Sequence, residues 1–173
     1  MTESEVFEAV TGSGRSDFAI VVRILNEHGP WCLIGGLAVN CYVEPVFTVD
    51  VDIVVISAQL DRIKEELIAA GFQVSDFPHS LNALMPGSKL RIQLTLDPRY
   101  QEFLKDSKQM TVLDELVPVA SLENIARGKI WAWSDQERRA TKRKKDELDL
   151  MRLLEAYPEL RRMMPDEIKT QIP

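Results

Sequence analysis

The segment 48–56 constrains the fold of this chain more than any other part of the sequence. It reads Thr-Val-Asp-Val-Asp-Ile-Val-Val-Ile and is rich in β-branched residues, which is typical of a β-strand. Its apolar second half indicates a strand that is partly buried on both faces. Asp50 and Asp52 stand two residues apart, so their side chains project from one face of that strand. The sequence therefore predicts two neighbouring carboxylates on an otherwise buried strand.

Further elements follow from the spacing of apolar residues. A helix is predicted to begin at Ser16, which suits an N-cap, and to end before Gly29. Residues 90–96 alternate strictly between polar and apolar side chains, which predicts a half-buried strand. The other predicted elements are a strand at 31–34, a helix at 37–42, a helix at 60–70 that Gly71 closes, and a strand at 72–74.

Beyond Pro98 the character of the sequence changes, and from Leu122 to Leu160 the pattern is helical, with a stop at Pro158. Because strands gather in the first hundred or so residues and helices follow, the predicted fold class is α+β, a small mixed sheet flanked by helices. We expect an α/β core at 1–105 and a helical part at 106–173 that packs on it. The two parts are expected to share one core, so 1–173 also qualifies as a single domain.

Composition narrows the class of protein. Hydrophobic residues are 45% and charged residues 28%, as in a folded globular chain. No apolar run is long enough to span a bilayer, and the acidic start lacks the features of a signal peptide, so the predicted location is the cytoplasm. Cys32 and Cys41 are predicted to be small buried hydrophobes. With only His28 and His79, a His-rich zinc site or a Ser-His-Asp triad is not expected, and a metal would be held by carboxylates.

The charge is distributed unevenly. The formal net charge is -6, so the molecule as a whole is not expected to attract nucleic acid. Residues 138–145 (Arg-Arg-Ala-Thr-Lys-Arg-Lys-Lys) are nevertheless almost entirely basic. This basic cluster either steers RNA or another polyanion towards a site or is a solvated helix face that balances nearby acids. The second interpretation is slightly favoured because no aromatic residue alternates within the cluster, and Trp131 and Trp133 are predicted to be core residues.

Asp50 and Asp52 indicate a site for a divalent metal ion. Two carboxylates held side by side repel each other unless a cation lies between them. A hard divalent ion takes oxygen ligands from such a pair and from phosphate groups. Gly35 and Gly36 follow a predicted strand and precede a predicted helix, where glycines allow a ligand to approach the backbone. The alternative for Asp50 and Asp52 is two exposed acids at a strand end, and the alternative for Gly35 and Gly36 is a plain turn.

Two motifs in the first half together resemble the signature of the nucleotidyltransferase superfamily. They are 33–40, Leu-Ile-Gly-Gly-Leu-Ala-Val-Asn, and 48–53, Thr-Val-Asp-Val-Asp-Ile. Within that superfamily the chain looks most like the AbiEii-type branch of abortive-infection and toxin–antitoxin proteins. Residues 128–132, 138–139 and 145–149 are similar to the branch motif of a lysine, an alanine three residues on, an arginine and a DxxD. The resemblance covers roughly 31–160 and implies a nucleotidyltransferase fold.

The resemblance also implies an activity. Such enzymes move a nucleoside monophosphate from a nucleoside triphosphate to a hydroxyl, here of RNA or protein, by metal-assisted in-line displacement. The implied cofactor is Mg²⁺ or Mn²⁺, and an antitoxin is an implied partner. The implied site comprises the catalytic residues Asp50, Asp52 and Asp146, the metal ligands Asp50 and Asp52, and the nucleotide-binding residues Gly35, Gly36, Thr48 and Lys129.

The alternative for Lys129 is a solvent-facing helix residue. The alternative for Asp146 and Asp149 is ion pairing on the helix surface, Asp146 with Lys142 and Asp149 with Lys145, each four residues away.

The sequence departs from the superfamily pattern at the third carboxylate, which is expected on the predicted strand 90–96. Gln93 occupies that position, and an amide cannot act as a general base. Asp97 continues the same face but lies about 13 Å further along an extended strand. The arginine that often precedes the DxD is also missing, with Val46 near its position. The alternative function is therefore a non-catalytic relative that binds a nucleotide, RNA or a partner protein, and a third possibility is an interaction protein whose acidic pair is accidental.

Overall fold

The computed structural model describes residues 2–173, which form one mixed β-sheet with helices packed on it. The strands are β1 (Trp31–Ile34), β2 (Asp50–Val55), β3 (Gln73–Phe77), β4 (Ser80–Leu84), β5 (Arg91–Thr95), β6 (Lys108–Val112) and β7 (Glu115–Val119). The α-helices are α1 (Glu3–Thr11), α2 (Gly14–Glu27), α3 (Gly35–Val39), α4 (Leu60–Ala69), α5 (Leu122–Ser134), α6 (Ala140–Ala156) and α7 (Asp166–Lys169). Short 3₁₀ turns occupy Ser57–Gln59, Pro98–Asp106 and Pro158–Met163. The predicted α+β class is confirmed.

The sheet order is β3-β4-β5-β2-β1-β7-β6. At its centre β2 runs antiparallel to β1 and parallel to β5, and β1 runs parallel to β7. In this register Ile34 pairs with Asp52, and Asp52 pairs on its other side with Gln93. The end of β1 and the beginnings of β2 and β5 therefore meet at one edge of the sheet.

The expectation that strands end within the first hundred or so residues is wrong, because β6 and β7 form a hairpin that joins the sheet. Leu113 and Asp114 connect the two strands with φ angles of 48° and 68°. Hairpin turns of this kind usually carry Asn-Gly or Asp-Gly, so Leu-Asp gave no turn signal. One sheet thus runs through both predicted parts, and the division at 105 stays a prediction.

Several predicted boundaries also need correction. The helix predicted from Ser16 begins at Gly14, with Ser13 in the N-cap position, and α3 begins at Gly35 rather than at 37. Helix α1 was not predicted although Thr2 and Glu5 form a capping box at its start. Strand β4 was also not predicted.

The strand predicted at 31–34 and the helix closed by Gly71 are confirmed, and Gly71 has the positive φ expected there, +101°.

The core lies on both faces of the central strands, and every residue of β1 is buried. Cys32 is fully buried and Cys41 is partly buried. Burial raises the pKa of Cys32 to about 12 and the pKa of Cys41 to about 11, so both thiols stay protonated. The prediction of two small buried hydrophobes is confirmed for Cys32. Within the described residues, no helix has both the length and the apolar character that crossing a membrane requires.

Candidate active site

The two predicted carboxylates lie on one face at the start of β2. Val51 between them is buried, whereas Asp50 and Asp52 are each partly exposed. The parallel pairing with β5 sets Arg91 beside Asp50 and Gln93 beside Asp52. The alternation inferred from the sequence is therefore present, and it directs both acids to the same edge of the sheet.

Two clefts meet at this edge. The first cleft has a volume of about 500 Å³, and the second cleft has a volume of about 680 Å³. Among the predicted residues, the first cleft brings together Gly36, Thr48, Asp50, Asp52, Gln93, Lys129 and Asp146. Gly35 and Asp97 line only the second cleft. Both clefts share a wall formed by Asp52, Gln93, Lys129, Arg138 and Asp146.

Asp50 is held between two cations. Arg91 donates from Nε to Oδ1 at 2.7 Å, and Lys142 donates from Nζ to Oδ2. Burial by itself would raise the pKa of Asp50, but the hydrogen bonds from Lys142 and Arg91 outweigh it and lower that pKa. Asp50 therefore stays ionised, and a metal ion at this carboxylate would share it with two side chains that already neutralise it.

Asp52 lies in a different environment. Burial is the largest influence and raises the pKa of Asp52, the nearby Asp50 adds to the rise, and Lys129 only partly opposes it. The ionised form of Asp52 is therefore costly without a further cation. A divalent ion bound by the pair would remove that cost.

Gly35 and Gly36 contribute in different ways. Because Ile34 pairs with Asp52, the chain passes directly over the Asp52 side chain at Gly35. Gly35 has a φ of +74°, and a Cβ there would lie 2.3 Å from Oδ2 of Asp52. A Cβ on Gly36 would meet nothing closer than Oγ1 of Thr48, at 3.7 Å. Only Gly35 is thus required to be glycine by the fold.

Gly35→Ala is expected to destabilise the protein, by about 1–2 kcal/mol for the left-handed backbone and about 1–3 kcal/mol for the overlap with Asp52. Gly36→Ala should be nearly neutral. Gly87→Ala is the matched control, because its φ is +85° and no atom of the described residues lies within 4 Å of the added Cβ, so only the backbone effect applies. Urea unfolding measures all three. Equal losses for Gly35→Ala and Gly87→Ala would contradict the contact with Asp52.

Lys129 lies at the centre of a buried ion-pair network. Its Nζ is 2.9 Å from Oδ1 of Asp146 and 2.7 Å from Oδ2 of Asp149. Arg138 also binds Asp146, at 2.7 Å, and Arg152 binds Asp149, at 2.7 Å. Burial alone would lower the pKa of Lys129, but Asp149 and Asp146 together raise it, so the ammonium stays charged.

The network decides between the interpretations left open by the sequence. The alternative of a solvent-facing Lys129 is wrong, because that side chain is 10% exposed. The predicted surface pairs of Asp146 and Asp149 with lysines four residues away are also wrong. Both acids turn inward from α6 to α5 instead, and Lys142 binds Asp50.

The residues at the strand edge fit a hard divalent ion. Asp50, Asp52 and the amide oxygen of Gln93 form an all-oxygen donor set, which suits Mg²⁺ or Mn²⁺. Asp97 does not complete it, because it lies beyond β5 and both of its carboxylate oxygens accept hydrogen bonds from Arg99.

A separate group of potential ligands within the described residues, Glu27, His28 and Glu66, lines neither cleft, and His28 already contacts Glu66 at 2.5 Å.

Several residues that line the site were not predicted. They are Asn40, Arg91, Arg138, Lys142 and Arg152. Arg91 had a usable signal, because the alternating strand set it two residues before Gln93. Arg152 binds Asn40 and the carbonyl of Glu44, which ties the loop between α3 and β2 to helix α6.

The residues of the basic cluster (138–145) differ in their contacts. Arg138, Lys142 and Lys144 each bind an acid, as the second interpretation expects. Lys145 is exposed and lines the first cleft. The prediction of core positions for Trp131 and Trp133 holds in part, because both are half-buried against the core.

Solved structures with the same architecture are nucleotidyltransferases. The antibiotic-resistance factor ANT(2'')-Ia superposes with a TM-score of 0.61 at 10% identity, covering 90% of this chain and 87% of that chain. The lincosamide antibiotic adenylyltransferase LnuA, solved with lincomycin, gives 0.55 at 15% identity, covering 79% and 92%. A putative nucleotidyltransferase from H. pylori gives 0.55 at 20% identity, covering 92% and 73%. Identities this low show the shared fold alone.

Sequence comparison supplies the family. None of the curated proteins matches this sequence. The sequence model of the family described as "Nucleotidyl transferase AbiEii toxin, Type IV TA system" matches residues 23–171, which include both motifs of the first half and the whole Lys129 network. The chain therefore belongs to the AbiEii nucleotidyltransferase family.

Proposed function

We propose that this protein transfers a nucleoside monophosphate from a nucleoside triphosphate to a hydroxyl group. The observation that carries the proposal is the position of Asp50 and Asp52 at the edge where the two clefts meet. The first cleft offers more cations than acids and suits a triphosphate, and the second cleft reaches Asp52 from the other side. ANT(2'')-Ia, which has the same fold, has been solved in complex with adenylyl-2''-tobramycin, a product of this chemistry.

The reaction is a single displacement at the α-phosphorus. The acceptor oxygen forms a bond to that phosphorus, the bond to the bridging oxygen breaks, pyrophosphate leaves with the bonding electrons, and the hydroxyl proton passes to water. Asp50, Asp52 and Gln93 would hold Mg²⁺ or Mn²⁺, which supplies positive charge against the attacking and leaving oxygens when bound.

The chain's own residues bind and orient the substrates. Lys145 and Arg91 extend into the first cleft, where cations attract the triphosphate. Thr48 lies beside Gly36, where the absence of a side chain leaves space for phosphate oxygens. Lys129 and Arg138 donate hydrogen bonds to Asp146 and so fix its position in the wall shared by the two clefts. Asp146 and Lys129 therefore act here as positioning residues for the charges around Asp52.

A second candidate is a non-catalytic relative that binds nucleotide, RNA or a partner protein. It is favoured by one observation, the pairing of Gln93 with Asp52 at the position where a third carboxylate is expected. Gln93→Asp distinguishes the two candidates, since transfer that only the variant performs would mean that the natural chain had lost a ligand. A toxin–antitoxin role, an antitoxin partner and a cytoplasmic location stay predictions.

The test is transfer of label from each α-labelled nucleoside triphosphate in the presence of Mg²⁺ or Mn²⁺. Total RNA, cell protein and the protein itself are offered as acceptors. We expect label to be transferred by the natural protein and not by the Asp50→Ala, Asp52→Ala double variant. Nucleotide binding without transfer would favour the non-catalytic relative. If nucleotide did not bind, and if metal and nucleotide left the thermal stability unchanged, both the transferase and a nucleotide-binding relative would be refuted.

A further inference from the structure

The second cleft differs from the first cleft in charge. Leaving aside the wall that they share, the first cleft has two more cations than acids, and the second cleft has one more acid than cations. The groups that make the second cleft acidic are Asp97 and Asp135, against a single Arg99. A ligand that carries several phosphates is therefore attracted to the first cleft and not to the second.

Within the described residues, each cation that lines the second cleft is bound to an acid, whereas the first cleft has Lys145, which forms no ion pair, besides the paired Arg91, Lys142 and Arg152. Two nitrogens of Arg99 donate hydrogen bonds to Oδ2 of Asp97, Nε at 3.1 Å and Nη2 at 2.8 Å. Lys129 and Arg138 bind Asp146. A phosphate group in this cleft would have to compete with these carboxylates, which are held at hydrogen-bond distance.

One wall of the second cleft is aromatic. Trp131 stacks on Phe103 with ring centroids 5.7 Å apart, and Tyr100 meets both rings edge-on. The guanidinium of Arg99 lies 5.2 Å from the centroid of Trp131, so this wall already accepts a cation. Asp135, at the end of α5, is exposed at the same cleft. Tyr100 and Trp131 are the partly exposed rings of this wall, since Phe103 is buried, and beside the exposed Asp135 they suit an apolar or positively charged group.

We propose that the second cleft binds the acceptor, and that this acceptor is a small hydroxyl compound that carries no phosphate and is neutral or positively charged. The proposal rests on the proposed function, because it names the substrate that receives the nucleoside monophosphate. About 680 Å³ is the size of cleft that encloses a small molecule. Asp52 lies on the shared wall, so a hydroxyl in the second cleft reaches the carboxylate that faces the triphosphate in the first cleft.

The first experiment separates the acceptors by class. A cell lysate is divided into a small-molecule filtrate, total RNA and a protein fraction, and each is offered separately with the α-labelled triphosphates and Mg²⁺ or Mn²⁺. We expect label in a product of the small-molecule filtrate. Anion-exchange chromatography should show that this product carries only the phosphate that was added. Label on RNA or on protein overturns this proposal while supporting nucleotidyl transfer. Label on no fraction means that the proposed function itself has failed.

The second experiment uses the charge of the cleft. Asp135→Lys changes an exposed carboxylate that accepts a hydrogen bond from the backbone N–H of Glu137, so the KM for the triphosphate also serves as the check on folding. Asp106→Lys makes the same charge change at an exposed position away from both clefts. For a positively charged acceptor we expect Asp135→Lys to lower kcat/KM about fivefold and to leave the KM for the triphosphate unchanged, while a neutral acceptor keeps its kcat/KM. A rise in kcat/KM that Asp106→Lys does not reproduce would show an anionic acceptor and overturn the proposal.

Discussion

Replacing Asp52 by asparagine is expected to reduce nucleotidyl transfer on the order of 1000-fold or more. The substitution keeps the size of the side chain but removes the charge that, with Asp50, would hold the metal ion between the two clefts. Because burial raises the pKa of Asp52, its ionised form is unfavourable in the folded protein without metal. A neutral amide avoids that cost, so thermal stability should be unchanged or higher although activity is lost.

Asp106→Asn is the matched control, since Asp106 is exposed and lines neither cleft. Steady-state kinetics and thermal unfolding, measured with and without Mg²⁺, report the two effects separately. Metal should raise the melting temperature of the natural protein and of Asp106→Asn, and should raise that of Asp52→Asn much less. If Asp52→Asn retained most of the activity, the assignment of Asp52 to the reaction would be wrong.

Lys129→Met is expected to lower the free energy of unfolding by about 3 kcal/mol. The methionine is close to lysine in length, but Asp146 and Asp149 would lose the ammonium that both of them bind, while their side chains stay 2% and 12% exposed. Arg138 and Arg152 would still contact one acid each, which limits the loss. Urea unfolding monitored by circular dichroism measures the change.

Lys144→Met provides the comparison, because that lysine lies on the same helix as the two acids, is 78% exposed and, among the described residues, pairs only with Glu147. Its loss should stay within about 0.5 kcal/mol. Adding Asp149→Asn to Lys129→Met should recover part of the stability, since it removes one of the two carboxylate charges that lost the ammonium of Lys129. A Lys129→Met protein as stable as Lys144→Met would show that the network does not hold α5 to α6.

The carboxylate pair and its strand could be predicted because both depend on local pattern. Alternation fixes the common face of Asp50 and Asp52. The resemblance to the nucleotidyltransferase superfamily, and not the alternation of 90–96, pointed to Gln93 as the position of a third carboxylate, and Gln93 pairs with Asp52. The common face needs only the two-residue period of a strand, whereas the choice of the neighbouring strand came from the family pattern.

The charges around the pair could not be predicted in the same way. Lys142 reaches Asp50 from a position 92 residues further along the chain. Local spacing instead favoured ion pairs within α6, because residues four apart on a helix are always close together. The inward orientation of Asp146 and Asp149 depends on how α6 packs on α5. That packing is a property of the whole core and leaves no trace in the spacing of the two acids.

The pairing of β1 with β7 has a consequence for synthesis on the ribosome. Strand β1 ends at Ile34, yet its parallel neighbour does not begin until Glu115, so some eighty residues must emerge before that side of β1 is covered. Until then the nascent chain exposes a fully apolar strand with unpaired backbone groups. Parallel pairing over such a separation forms late and slowly. The interval before β7 emerges is therefore the period in which the growing chain most needs protection from aggregation.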